Sequence, residues 1–250
     1  MKRLIIGTLI SVGTIGSAFA ACTYNFDATQ AEISTVYPGF EKFPIVSGQS
    51  TGLSLSATSK MYVAANSQAL QGKVNVIIPP QSGIFAYEYK FKVPSVLLPN
   101  SEQIMTYPNF AEGAYAGGKY QLIAMYTNHL QGSANPNSVA FIVGSTKDGS
   151  TGLLEIPVSN TADGYQYIGF YVNQDTKQVG VIFNGINKGY ISNHVDKIQG
   201  LTFTNGYSYF GLDATSPNIG LSQSIELITD KTKFKFLYPS GAKDICGNTI

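Results

Sequence analysis

Residues 165–190 read YQYIGFYVNQDTKQVGVIFNGINKGY. One β-rich run, Tyr167 to Asn173, precedes the polar turn Gln174-Asp175-Thr176-Lys177. A second run, Val179 to Phe183, ends at Asn184-Gly185, a pair suited to the two positive φ angles of a tight hairpin turn. The chain then re-enters an extended run from Ile186 to Tyr190. The stretch predicts a three-strand antiparallel meander. Period-two alternation puts Ile168, Phe170 and Val172 on one face of its first strand, and Tyr165, Tyr167, Tyr171 and Asn173 on the other.

The same period recurs upstream, where Phe85, Tyr87, Tyr89, Phe91 and Val93 alternate with Ala86, Glu88, Lys90 and Lys92. Further strands are predicted over Tyr120 to Thr127, Val139 to Val143, Leu153 to Val158 and Ile225 to Thr229. Asp148-Gly149, Asp163-Gly164, Asn184-Gly185 and Asn205-Gly206 supply turn chemistry between runs. Residues 100–118 are Gly-rich with no clear period and read as a surface loop; only Ala64 to Leu70 hints at a helical turn. Of 250 residues, 26 are Gly and 16 Tyr, and the charged share of 12% is about half the usual quarter. That composition excludes a disordered chain and a helical bundle. The class is all-β.

The order carried by Ile168, Gly169, Asn173, Thr176, Val179, Asn184, Gly185 and Gly189 resembles the central meander of SPRY-type domains, within the wider concanavalin A-like lectin/glucanase group. The Phe85–Val93 run is similar to an early strand of that fold and Tyr207-Ser208-Tyr209-Phe210 to a late one. The resemblance implies two antiparallel sheets packed face to face, a β-sandwich of the jelly-roll kind. Over its whole length the chain also resembles small exported bacterial proteins of unknown function, which implies no activity.

Lys2 and Arg3, an apolar run from Leu4 to Ile15 and Ala18-Phe19-Ala20 form a signal-peptide pattern. The expected organisation is a signal peptide over 1–20 and one domain over 21–250, exported to the periplasm, cell surface or medium, with no transmembrane segment. Removing Lys2 and Arg3 from the 16 basic residues leaves 14 Lys against 15 acidic side chains, a formal net charge of −1. With no Arg left, nucleic acid is excluded as a partner. Lys231, Lys233 and Lys235 alternate as on a protected strand edge. Cys22 and Cys246 pair most simply as one disulfide joining the two ends of the domain. The other open reading makes Cys22 a lipidated N-terminus after Phe19-Ala20-Ala21.

Catalytic patterns are sparse. His129 and His194 stand alone, and no zinc-site or serine-hydrolase spacing occurs. Glu88, Glu155 and Glu226 sit singly on their strands, so the paired carboxylates of jelly-roll glycosidases are not legible. Asp148 and Asp175 offer oxygen ligands for calcium, and turn capping accounts for both; no metal or cofactor is expected. Tyrosine is the remaining signal. With Phe210 and Leu212 taken as core-facing, Tyr207, Tyr209 and Asp213 would share an outer face, as Tyr165, Tyr167, Tyr171 and Asn173 do on the earlier strand. Such a face suits sugar rings. The expectation is a non-enzymatic binding module with a polysaccharide as partner. The alternatives are an envelope or surface component with a protein partner, and a polysaccharide-active enzyme.

Overall fold

The computed structural model describes residues 22–73, 76–115, 117–129, 132, 134–146, 149, 151–159, 161, 163–193 and 196–250. The predicted signal peptide, His194 and Asp148 lie outside them. Fifteen strands form two sheets. The early strands are β1 (Glu41–Lys42), β2 (Ile45–Ser47), β3 (Ser50–Ser54), β4 (Lys60–Ala65) and β5 (Ile84–Lys92). β6 (Gln103–Tyr115), β7 (Gly118–Asn128), β8 (Asn137–Ser145) and β9 (Thr151–Pro157) follow as a meander. Then come β10 (Tyr165–Asn173), β11 (Gln178–Phe183), β12 (Ile186–Asn193), β13 (Gly200–Phe210), β14 (Ser222–Ile228) and β15 (Lys243–Asp244). Sheet I has the order β1-β4-β13-β6-β7-β8-β9; sheet II has β12-β11-β10-β5-β14-β3-β2, with β15 parallel to β5. The all-β sandwich expected from the sequence is the fold.

The core lies between the sheets. Phe85, Tyr87, Tyr89, Phe91 and Val93 enter it from β5 and its end, and Ile168, Phe170 and Val172 from β10, as their spacing predicts. The β11–β12 turn is the expected one, with Asn184 at φ 49° and Gly185 at φ 84°. Residues 22–28 run extended into one side of the core and alternate strictly, with Cys22, Tyr24, Phe26 and Ala28 buried. Tyr24 donates through its hydroxyl to the Phe203 carbonyl at 3.0 Å and accepts from the Phe203 N–H at 3.0 Å.

Four expectations fail, each for a local reason. Residues 103–115 are not a loop but the longest strand; Tyr107↔Gly206 and Phe110↔Thr204 bracket a bulge that shifts the buried parity midway. Asn205-Gly206 is no turn, because β13 is paired on both sides there. Lys231–Lys233 is a 3-10 turn, not a strand edge. A seven-residue helix, α1 (Gln30–Val36), was missed, although Thr29 and Glu32 form a full capping box. α1 packs Ile33 against Ala28, Val63 and Ala65.

Cys22 and Cys246 form a disulfide with Cα atoms 5.7 Å apart. It closes a loop of 224 residues and ties the N-terminal plug to the end of the chain. By chain entropy alone such a loop is worth about 5 kcal/mol. Urea unfolding of the oxidised chain and of Cys22→Ser/Cys246→Ser should differ by up to that amount, the variant being the weaker; equal midpoints would show that the bridge does not hold the ends. Gly185→Val should cost about 1 kcal/mol or more through positive φ alone, since no atom lies within 4 Å of the added Cβ. A thermal melt reads this directly.

Candidate functional site

β13 decides which surface is available. Leu201, Phe203, Tyr207 and Tyr209 point into the core, while Thr202, Thr204, Gly206, Ser208 and Phe210 lie on the outer face of sheet I. This reverses the sequence expectation, which had Phe210 inside and Tyr207 and Tyr209 outside. The physical reason is the whole strand: one face is bulky and apolar, the other small and hydroxylated, and the bulky face gains more from burial. Tyr207 and Tyr209 are 1% and 0% exposed.

Beside β13, the bulge in β6 lets Met105 and Tyr107 share the outer face with Phe110 and Glu112, although the two pairs differ in parity. Gly206 leaves room for the Tyr107 ring; a Cβ there would stand 3.3 Å from it. At the other side of the face, α1 ends at Tyr37, whose ring meets Phe40 edge-on with centroids 6.0 Å apart. These pieces enclose a groove of about 290 Å³ walled by Tyr37, Phe40, Met61, Met105, Tyr107, Phe110 and Phe210, with Thr204, Gly206 and Ser208 on its floor.

The groove turns polar at one end. Burial raises the Tyr37 hydroxyl above its ordinary pKa, a hydrogen bond with Thr204 pulls it back, and the Glu112 carboxylate adds to the rise. Glu112, with a side chain 29% exposed, accepts weakly from the Gln121 amide at 3.5 Å and faces the Lys119 ammonium at 3.9 Å. Glu155 is the other carboxylate on this face. It sits on β9, three strand spacings from β6 and out of row with Glu112, so the two are separated by about 14 Å or more. That exceeds the roughly 5–9.5 Å that glycosidase pairs require.

The other predicted tyrosines lie on sheet II. β10 has the predicted faces, but its outer one is crossed by a strap, residues 234–238. The strap is held by Glu88, fully buried, whose carboxylate accepts from the N–H groups of Lys235 (2.8 Å) and Phe236 (3.0 Å) and from the Tyr238 hydroxyl (3.1 Å). Phe236 and Tyr238 fill the space over Gly169, where a Cβ would fall within 2.8 Å of both. Tyr171 is 2% exposed, lies over Gly180 and donates to Asn187 at 2.9 Å. Asn173 caps the Asp175–Thr176 turn, and Asp213 is taken up in capping Thr215. Of the predicted tyrosines, only Tyr165 and Tyr167 remain half-exposed. The seven residues predicted as one site are therefore divided among the core, the strap, two turns and a small pocket.

A family model described as a domain of unknown function (DUF4882) matches residues 4–248. The chain belongs to this family. No curated protein matches its sequence. Among solved structures it is similar to a Bacillus licheniformis β-glucanase (12% identity, 72% of this chain and 76% of that one, TM-score 0.40). It is also similar to alginate lyase A1-II′ (16% identity, 82% and 89%, TM-score 0.38) and to LamAcat of Zobellia galactanivorans (11%, 73% and 76%, TM-score 0.40). The likeness is one of fold, a concanavalin-like jelly roll. The expectation of a binding module built on an exposed Tyr face is corrected: Tyr171, Tyr207 and Tyr209 are inside. An envelope-protein partner finds no support in these comparisons.

Burial raises the Glu88 pKa above the ordinary carboxylate value, against its three hydrogen bonds and the Lys235 charge. The folded chain thus holds this proton more tightly than the unfolded chain. The contribution is complete below the ordinary carboxylate pKa and is lost as pH rises through the raised value. Melting curves of the wild type and Glu88→Gln across this range should shift in favour of the Gln variant as pH rises; parallel curves would show that Glu88 does not titrate with unfolding.

Proposed function

We propose that the protein is exported and cleaves a polysaccharide laid along the outer face of sheet I. The observation that carries this reading is the groove: five aromatic side chains, each with part of its ring reachable, lead to a polar end where Tyr37 bonds Thr204 and the Glu112 carboxylate acts on Tyr37 electrostatically. Aromatic rings offer apolar faces to sugars, and the Cys22–Cys246 bridge suits an oxidising compartment. The glucanases and alginate lyases of like fold are named for such substrates; the residues assigned here come from the groove alone.

One carboxylate beside one neutral phenol fits elimination better than two-carboxylate hydrolysis. Glu112 takes the proton next to a uronate carboxylate, and that electron pair forms the new carbon–carbon double bond. The glycosidic carbon–oxygen bond breaks, and the leaving oxygen receives its proton from Tyr37. Lys119, 3.9 Å from Glu112, is the cation that offsets the uronate carboxylate as its neighbouring proton leaves. The Tyr37 hydroxyl, with its pKa raised, is protonated at neutral pH and able to donate.

The test is a panel of uronate, neutral and sulfated polysaccharides, read by reducing ends and by the ultraviolet absorbance of unsaturated uronates. Cleavage with unsaturated ends is expected. Glu112→Gln and Tyr37→Phe should each lower it about 10²–10⁴-fold with little change in melting temperature. No cleavage of any member, or activity unaltered in both variants, would overturn the assignment.

A further inference from the structure

Tyr165 and Tyr167 do not lie flat on a bare sheet. They border a pocket of about 360 Å³ on the outer face of sheet II, closed by Thr161, Asp163, Asn184 and the strap residue Lys235. This is the side of the sandwich away from the groove. Two ammonium groups converge here. Lys235 Nζ lies 3.4 Å from the centroid of the Tyr167 ring; Lys90 Nζ lies 4.1 Å from that of Tyr165 and 6.0 Å from that of Tyr167.

Lys235 acts electrostatically on the carboxylates of Asp163 and Glu88 without a close ion pair to either. Among the described residues, none of the ion pairs within 4.0 Å involves Lys90 or Lys235. Glu226, opposite Lys90 on β14, is not that near, and Glu88 is taken up by the strap. Asp163 is the one acid lining the pocket; it accepts from the Tyr165 N–H at 3.1 Å. The Asn184 amide is occupied by the Tyr167 N–H and by Gln166. Among the described residues, no hydrogen bond engages the hydroxyl of Tyr165 or Tyr167. The pocket therefore presents the Lys235 ammonium on its wall, with that of Lys90 against its Tyr165 ring, beside two phenol hydroxyls and two apolar ring edges; its volume is at the small end of the usual ligand-pocket range of about 300–1,000 Å³.

We propose that this pocket is a binding subsite for an anionic sugar, one bearing a carboxylate or a sulfate ester. Lys90 and Lys235 take the anion, and the tyrosines take the ring and its hydroxyls. The subsite stands on these residues and does not depend on catalysis in the groove. It would hold a charged polysaccharide against the protein without acting on it.

Native affinity electrophoresis of the purified chain in gels containing alginate, a sulfated galactan or neutral dextran tests this. To keep the groove's chemistry out of the measurement, the Glu112→Gln variant is run alongside. Retardation by alginate, by the sulfated galactan or by both, and not by dextran, is expected; which gel retards assigns carboxylate, sulfate or either. In the Glu112→Gln background, where the groove cuts nothing, Lys90→Gln/Lys235→Gln should weaken it about tenfold or more, the scale of losing charge-assisted hydrogen bonds. Equal retardation by dextran, or retardation untouched by the double lysine variant, would overturn the subsite. A chain that is retarded but cleaves nothing would overturn only the groove assignment. Melting temperatures within a few degrees of wild type confirm that the lysine variant is folded.

Discussion

Phenol hydroxyls inside the sandwich are the constraint on which the rest of the structure depends. The chain has no Trp and 16 Tyr, and its two sheets meet over Tyr24, Tyr87, Tyr89, Tyr126, Tyr207 and Tyr209, all nearly inaccessible. Each ring fills the core as a large apolar body, but each hydroxyl loses water and needs a partner. Tyr24 uses both backbone groups of Phe203, Tyr126 uses Asn137 at 2.9 Å and Tyr209 uses Ser56 at 2.8 Å. These bonds join the N-terminal plug, the β3–β4 connection and the start of β8 to the strands that carry the rings. Among the described residues, Tyr89 and Tyr207 have no such partner. Burial drives the pKa of all these phenols upward wherever a shift is resolved, so they stay neutral and rigid in the working pH range.

That choice of core residue explains what was legible in the sequence and what was not. On β5 the alternation of Phe and Tyr with Glu and Lys left no doubt about the inner face. Likewise, Ile168, Phe170 and Val172 marked the inner face of β10, and Asn184-Gly185 located its hairpin. β13 was harder, because both of its faces carry hydroxyls and aromatic residues; reading it from Phe210 and Leu212 alone inverted it. The decisive comparison was between Leu201, Phe203, Tyr207 and Tyr209 and the small set Thr202, Thr204, Gly206 and Ser208. In β6 the period is interrupted by the bulge near Pro108, so a strand of thirteen residues reads as irregular. Local patterns cannot register a bulge whose function is set by the neighbouring strand.

The candidate site was illegible for a related reason. Tyr37 and Phe40 come from the end of a short helix, Met105, Tyr107, Phe110 and Glu112 from either side of the bulge, and Phe210 from the end of β13. No spacing in the chain joins them; the register of β6 on β13 does. The capping box at Thr29 and Glu32 was the available clue to the helix, and it marked a wall of the groove without showing what stood opposite.

Glu88 shows how the second sheet keeps its outer face from becoming one continuous aromatic patch. A carboxylate inside that face is costly unless it is fully hydrogen-bonded, and its partners are backbone groups of the strap. The strap buries Tyr171 and brings Lys235 over Tyr167, so the interaction that satisfies Glu88 also places a cation at the rim of the Tyr165–Tyr167 pocket. Among the described residues, sheet I has no equivalent cover across the groove, and its bulge opens the surface where the strap closes that of sheet II. The two faces therefore differ in character by construction: one is a mainly apolar groove ending at a single carboxylate, the other a small pocket where lysines lie against tyrosines.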